Sequence, residues 1–289
     1  MLTISNQELT VSISAQGAEL QSIFNKQTQL EYLWDANPAF WPKKSPALFP
    51  IVGGLKNGQY QYDGQSYAMG RHGFSRESVF TVSAQTESSI VFSLEANANT
   101  RAIYPFEFKF SLAYRVEGNQ LFVTYLVENT GDKNLYFSVG AHPAFRVPLT
   151  NGTGYEDWFL EFGTTETVGV HPLDAEGLVE PVAVPYLDNC CQLPLKKSLF
   201  YGDALVFKNL KSHSIGIKSH QSPHGLTMHY GDFPYMGIWS AKDADFVCIE
   251  PWCGVADSTT TNGQLINKEG MNQLAVGGTF ERTWSVELF

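Results

Sequence analysis

Pro105-Phe-Glu-Phe-Lys-Phe-Ser-Leu-Ala-Tyr-Arg-Val116 alternates without a break. Phe106, Phe108, Phe110, Leu112, Tyr114 and Val116 share one parity, while Glu107, Lys109, Ser111 and Arg115 take the other. Successive strand side chains point to opposite faces, so this period of two reads as a long strand with one dry and one wet face. Gly118-Asn119 supplies turn chemistry, and Leu121 to Glu128 is the expected hairpin partner. The same pattern recurs at Leu9, Val11 and Ile13, and in the pair Val79 to Ser83 with Ser89 to Glu95. It returns at Phe280, Trp284, Val286 and Leu288, and alternation at both ends predicts that the termini complete one sheet system. Apolar repeats at helical spacing are nearly absent. The expected fold class is all-β, a large antiparallel β-sandwich, with residues 1–289 as a single domain. From about Thr150 to Gly202 the periodicity weakens and Gly and Pro accumulate. A long irregular connection of this kind is expected to decorate a functional site.

Composition narrows the function. In 289 residues, 29 acidic against 19 basic side chains give a net charge of −10, with no Lys/Arg run, so neither nucleic acid nor an anionic membrane is an expected partner. No stretch is long and apolar enough for a membrane span. Met1 to Thr10 lacks the basic-then-apolar pattern of a signal peptide, so a cytoplasmic location is expected. Four cysteines, with Cys190 beside Cys191 and Cys248 five positions from Cys253, match no disulfide scaffold or zinc-finger spacing and read as reduced core thiols. Phosphate-loop, dinucleotide, zincin and hydrolase-elbow motifs are missing. No cofactor and no metal are expected, and monomer or weak homodimer is the default assembly.

Polar residues where the apolar pattern breaks are the candidates that remain. In Gly70-Arg-His-Gly-Phe-Ser-Arg76, Arg71, His72 and Arg76 gather beside two glycines. An extended backbone there would aim His72, Phe74 and Arg76 the same way; a surface turn with incidental basic residues is the alternative. His142 in Gly140-Ala-His-Pro-Ala-Phe145 has small neighbours and a proline that stops sheet pairing, and reads as a site residue or a hydrogen-bonded core histidine. Glu250 follows the apolar run Phe246 to Ile249, and a carboxylate at the tip of a buried strand is costly unless paired or used. Its readings are a general base or an ion-pair partner. Asp203, ahead of Ala204-Leu-Val-Phe207, suits a turn. His213, His220, His224 and His229 have spacing too irregular for a metal set. Trp34, Phe40, Trp41 and Trp252 could stack on a sugar or simply pack. Lys43 and Lys44 could be solvated or meet a phosphate.

Taken in order, these segments resemble the aldose 1-epimerase, or galactose mutarotase-like, family along the whole chain. The carrying stretches are Phe40 to Gly53, the His72 segment, Gly140 to Phe145, Asp203 to Phe207 and Cys248 to Pro251. The nearest branch by resemblance is the LacX-like one, neighbour to the hexose-6-phosphate epimerases. The resemblance implies a sugar site on a concave sheet face, with Glu250 as catalytic base and His142 as catalytic acid. It also implies that His72, Arg76 and Asp203 hold the substrate, with Arg71 and Lys44 as further contacts. The chain departs from the family in having Ala68-Met-Gly-Arg71 where longer mutarotases have an Asn-rich stretch, and lysines where the phosphate branch has an arginine. The implied activity interconverts the α and β anomers of an aldohexose or hexose phosphate. A non-catalytic carbohydrate-binding protein on the same fold is the competing expectation.

Overall fold

The computed structural model describes residues 1–289. The Phe108–Glu117 strand forms as its alternation requires, and Gln120–Asn129 returns against it with Gln120 opposite Glu117 across the Gly118-Asn119 turn. These two lie inside a nine-stranded antiparallel sheet. Its order runs Val184–Pro194, Trp158–Val170, Ser214–Ser219, Leu226–His229, Thr279–Leu288, Gln120–Asn129, Phe108–Glu117, Ser89–Glu95 and Thr81–Gln85. All six apolar positions from Phe106 to Val116 are buried. Ser111 is the exception on the other face. It is buried too, because Ser93 from the neighbouring strand meets its hydroxyl at 2.9 Å.

A second layer covers the dry face. It consists of a four-stranded sheet (Leu2–Ser5, Leu9–Ile13, Leu20–Asn25, Leu30–Glu31) and a five-stranded one. The latter is built on Phe246–Cys253, with Val139–Gly140 and Ala144–Arg146 on one side and Tyr235–Trp239, then Leu205–Lys208, on the other. Backbone bonds from Trp34 to Ala144 and from Arg146 to Tyr32 join the two sheets. One cluster of 63 buried apolar residues fills the space between the layers. Burial on this scale is the principal favourable contribution to folding. The single α-helix is the six-residue Ala98–Ile103, capped by Asn97, and five 3₁₀ helices of three or four residues accompany it. No helix is long and apolar enough to cross a membrane.

Three expectations need correction. The termini do not complete one sheet: the first strands belong to the four-stranded sheet, while Thr279–Leu288 is the middle strand of the nine. Their alternation is real, but it reports two opposed dry faces. The weakly periodic stretch from 150 to 202 contains two of the longest strands, Trp158–Val170 and Val184–Pro194. They run to the edge of the sheet with three register shifts, and each shift breaks the period of two. The strand expected from Val79 to Ser83 begins at Thr81, and Val79 is exposed.

Candidate active site

The five-stranded sheet has two buried faces, and its period of two separates their tasks. All eight residues of Phe246–Cys253 are buried. Val247, Ile249 and Cys253 enter the main core, whereas Phe246, Cys248, Glu250 and Trp252 point to the opposite side. Glu250 is therefore mid-strand rather than at the tip, since the strand continues through Pro251 to Cys253. The adjacent chain pairs at Gly140 with Trp252 and resumes at Ala144 with Cys248. Between them Ala141 still donates to Pro251 O at 3.0 Å and His142-Pro143 leaves the ladder, so His142 stands across from Glu250 where neither Pro143 nor Pro251 has an N–H to pair. The Trp252 ring lies across the two flanking strands, and a Cβ on Gly140 or Gly237 would come within 2.5 Å of it. Glycine at both positions lets the indole lie flat as part of the floor.

Above this floor is a cavity of about 610 Å³. Its walls include Trp41 and Trp239 on one side, His72, Arg71 and Arg76 on another, and Leu173 to Val179 with Tyr201 to Ala204 on a third. The 171–180 connection hangs on the edge strand through a His171–Val206 bridge, so the expectation that this region decorates the site holds for that part of it.

His142 Nε2 lies 3.4 Å from Glu250 Oε2. Trp41 stacks on the imidazole at 4.9 Å between ring centroids, and Trp239 meets it edge-on at 5.6 Å. The Trp34 indole N–H donates to the Trp41 carbonyl at 2.9 Å, which fixes the loop carrying that ring. His142 Nδ1 is buried without a hydrogen-bond partner. Burial pushes His142 down to about 3, with Arg76 acting in the same direction. Burial holds Glu250 well above the usual carboxylate range, helped by the negative charge of Asp203 and opposed by Trp252. Both shifts penalise a separated ion pair.

His72 is 5.6 Å from His142 between ring centroids. Its backbone is in the left-handed region at φ 68°, held by bonds from its N–H to Gly53 O and from Gly53 N–H to its Nδ1 at 3.1 Å. Because Nδ1 accepts, Nε2 carries the hydrogen and is available as a donor. Burial and the charges of His142, Arg76 and Arg71 hold His72 well below its ordinary value. The 70–76 segment is a turn and not extended. Phe74 consequently leaves the site and packs against Phe49 and Tyr104, while His72 and Arg76 stay at the cavity.

Arg76 makes only a loose pair with Glu77 at 3.8 Å, and its Nε is buried without a partner. Arg71 donates to the Glu176 carbonyl at 3.1 Å. Asp203 sits at φ 108° and accepts the Ala204 N–H at 2.7 Å, so it is both the expected turn residue and part of the wall. Lys44 is a correction. Its Nζ donates to Gln21 O at 2.8 Å and it lines a separate cleft with Trp34, Phe40 and Arg146. Lys43 does not line the cavity either. Among the four tryptophan and phenylalanine candidates, Trp41 and Trp252 reach the site and Trp34 and Phe40 do not.

His213, His220 and His229 go to different partners: Gly231 O, the Phe159 ring and Glu287 respectively. The group of donors that does converge is His142, Cys248 and Glu250, with ligating atoms all within 4.8 Å of one another. Sequence reasoning treated Cys248 as an inert core thiol, although it shares strand parity with Glu250. Trp239 was missed as well; its parity with Gly237, opposite Glu250, was the available signal.

The interrupted sheet sets a histidine across from a buried carboxylate at the floor of a cavity of about 610 Å³. The chain belongs to the aldose 1-epimerase family, whose profile matches residues 1–269. Among individual relatives, it is 33% identical over 296 residues to Protein LacX of Lactococcus lactis subsp. lactis, in both the chromosomal and plasmid forms, covering 99% of each chain. The fold is similar to that of a galactose mutarotase related enzyme from Lactobacillus acidophilus, with TM-score 0.95, 35% identity, and coverage of 100% of this chain and 97% of the other. It is also similar to a galactose mutarotase-like protein from Lactobacillus casei ATCC 334, with TM-score 0.93 and 30% identity over the full length of both.

Proposed function

We propose that the protein is a mutarotase that interconverts the α and β anomers of an aldohexose or hexose phosphate. The observation that carries this reading is the 3.4 Å approach of His142 Nε2 to Glu250 Oε2 on the floor of the cavity. Ring opening requires a proton to leave the anomeric hydroxyl while the ring oxygen gains one. Both oxygens are bonded to the same carbon, so two adjacent groups sharing one proton can serve them together.

Burial alone leaves that proton on Glu250. Sugar hydroxyls donating to the carboxylate favour its charged form and move the proton to His142. Glu250 then takes the anomeric proton as base and His142 Nε2 protonates the ring oxygen as acid. The C1–C2 bond of the open aldehyde rotates, and reclosure returns both protons. Each positioned transfer contributes roughly 10²–10⁴-fold. His72 donates through Nε2, while Asp203, Arg76 and Arg71 orient hydroxyls or a phosphate.

Polarimetry on freshly dissolved α-glucose, α-galactose and their 6-phosphates tests the proposal. Accelerated decay of optical rotation, lost in Glu250→Gln, is the expected result. Sugar binding by calorimetry with no acceleration for any of these sugars would replace it with the non-catalytic binding reading.

A further inference from the structure

We infer that His142, Cys248 and Glu250 form a binding site for a thiophilic divalent cation, for which Zn²⁺ is the probe, and that its occupation blocks the proton-transfer pair. The site binds an inhibitor and supplies no step of the reaction. Only the inhibition clause rests on the function proposed above; cation binding stands on geometry alone.

An imidazole, a thiolate and a carboxylate are the three side-chain donor types that Zn²⁺ takes. Donor-to-metal distances of about 2.0–2.3 Å in a tetrahedral site place the donors roughly 3.3–3.8 Å from one another. The His142–Glu250 contact is already 3.4 Å. All three ligating atoms lie within 4.8 Å, so the thiol has to approach by about 1 Å to complete the set. Strand geometry brings them together. Cys248 and Glu250 are two positions apart on one face, and Cys248 is paired with Ala144, two residues along the chain from His142. His142 and Glu250 line the cavity and Cys248 lies behind them, so a cation enters from the cavity and keeps its fourth position towards it.

Two features limit affinity: the Cys248 thiol, whose pKa burial raises, must release its proton to the cavity as the cation binds, and the imidazole lacks an outer partner. A metal-bound histidine ordinarily donates its second ring nitrogen to a fixed acceptor, and loss of such a partner costs about 10–100-fold in affinity. His142 Nδ1 has none. The cation is therefore held reversibly and released to a chelator, as an inhibitor and not a structural metal.

The full chain, stripped with chelator, is titrated with Zn²⁺ by calorimetry and with Co²⁺ by absorbance, where a thiolate-to-cobalt band in the near ultraviolet reports cysteine ligation. One equivalent with that band, both lost in Cys248→Ala, is the expected result. His142→Asn must lose the same equivalent, which guards against misfolding of the cysteine variant; circular dichroism checks both folds. Absence of the band overturns the site, as does a band that persists in Cys248→Ala and disappears when Cys190 and Cys191 are replaced. In the wild type, Zn²⁺ is expected to suppress anomerisation reversibly; stoichiometric binding with undiminished turnover overturns the inhibition. If the band and stoichiometry appear in a chain that never anomerises a sugar, the cation site stands and the mutarotase proposal fails.

Discussion

Two buried pairs, Lys268 with Asp257 and His142 with Glu250, differ in how their bonding is used. Lys268 and Asp257 are 1% and 3% exposed, and each is hydrogen-bonded within the protein. Lys268 Nζ donates to Val255 O at 2.7 Å and to Asp257 Oδ1 at 3.0 Å, and Asp257 Oδ2 accepts the Lys56 N–H at 3.0 Å. Burial lowers the Lys268 pKa, with Asp257 opposing that shift. His142 and Glu250 are almost as deep, yet their contact is long, Nδ1 has no partner, and burial drives both towards neutrality. A buried pair that serves the fold uses its donors and acceptors within the protein; this one keeps capacity for something that arrives from the cavity.

The comparison breaks first on activity. Glu250→Gln removes the proposed base without altering volume, and the expected loss in polarimetric rate is about 10²–10⁴-fold, the contribution of one positioned proton transfer. The fold must remain intact by circular dichroism. A rate within a factor of about three of wild type lies far below that range and would remove Glu250 from the mechanism.

Asp257→Ala should do the opposite. It strands the Lys268 ammonium and orphans the Lys56 N–H, and breaking a buried pair costs about 3–5 kcal/mol. At about 2 °C per kcal/mol for a chain of this length, the thermal midpoint falls by roughly 6–10 °C. Activity measured well below the midpoint should survive, because Asp257 does not line the cavity. A midpoint unchanged in calorimetry would show that the pair adds nothing to stability.

How much of this was legible in the sequence depends on where a residue sits in a sheet. Phe106 to Val116 announced itself because one face is dry and one wet. Phe246 to Cys253 gave only the first half of its strand, because both faces are buried and Glu250-Pro251 reads as an exit. The two long edge strands were hidden by register shifts. His142, Glu250, His72, Arg76, Arg71 and Asp203 all reach one cavity, but Lys44 does not. A lysine four carbons long can turn either way, and the neighbouring Gln21 carbonyl decides it. Cys248 and Trp239 became visible only once strand pairing placed them beside Glu250 and His142.

Arg76 sharpens the site half of the comparison, since its buried Nε has no hydrogen-bond partner in the protein. Arg76→Gln should raise KM more than it lowers kcat. For a neutral aldohexose the expected loss is that of an ordinary hydrogen bond, about 0.5–1.5 kcal/mol. A sugar phosphate should lose a charge-assisted bond worth about 1.5–3 kcal/mol. Equal losses in kcat/KM for α-glucose and its 6-phosphate would place the phosphate elsewhere.

The smallest effect reverses the sign of the Asp257 result. Glu250 has a raised folded-state pKa, so the folded protein favours its neutral form. Stability from that preference is fully present below the ordinary carboxylate value of about 4.3 and is lost as pH rises through the raised value. Gln carries no charge to desolvate, so Glu250→Gln should melt higher than wild type at pH 8, and the gain should shrink as pH falls towards 4.3. His142, depressed to about 3, acts in the other direction and weakens folding as pH drops below about 6.5, so the carboxylate is read most directly between about pH 6.5 and 8. The expected shift is a few degrees, read by differential scanning calorimetry across pH 4 to 8, with about 2 °C per kcal/mol. A gain that grew towards acid would mean that Glu250 is held ionised and paired in the fold, and the distinction between the two pairs would disappear.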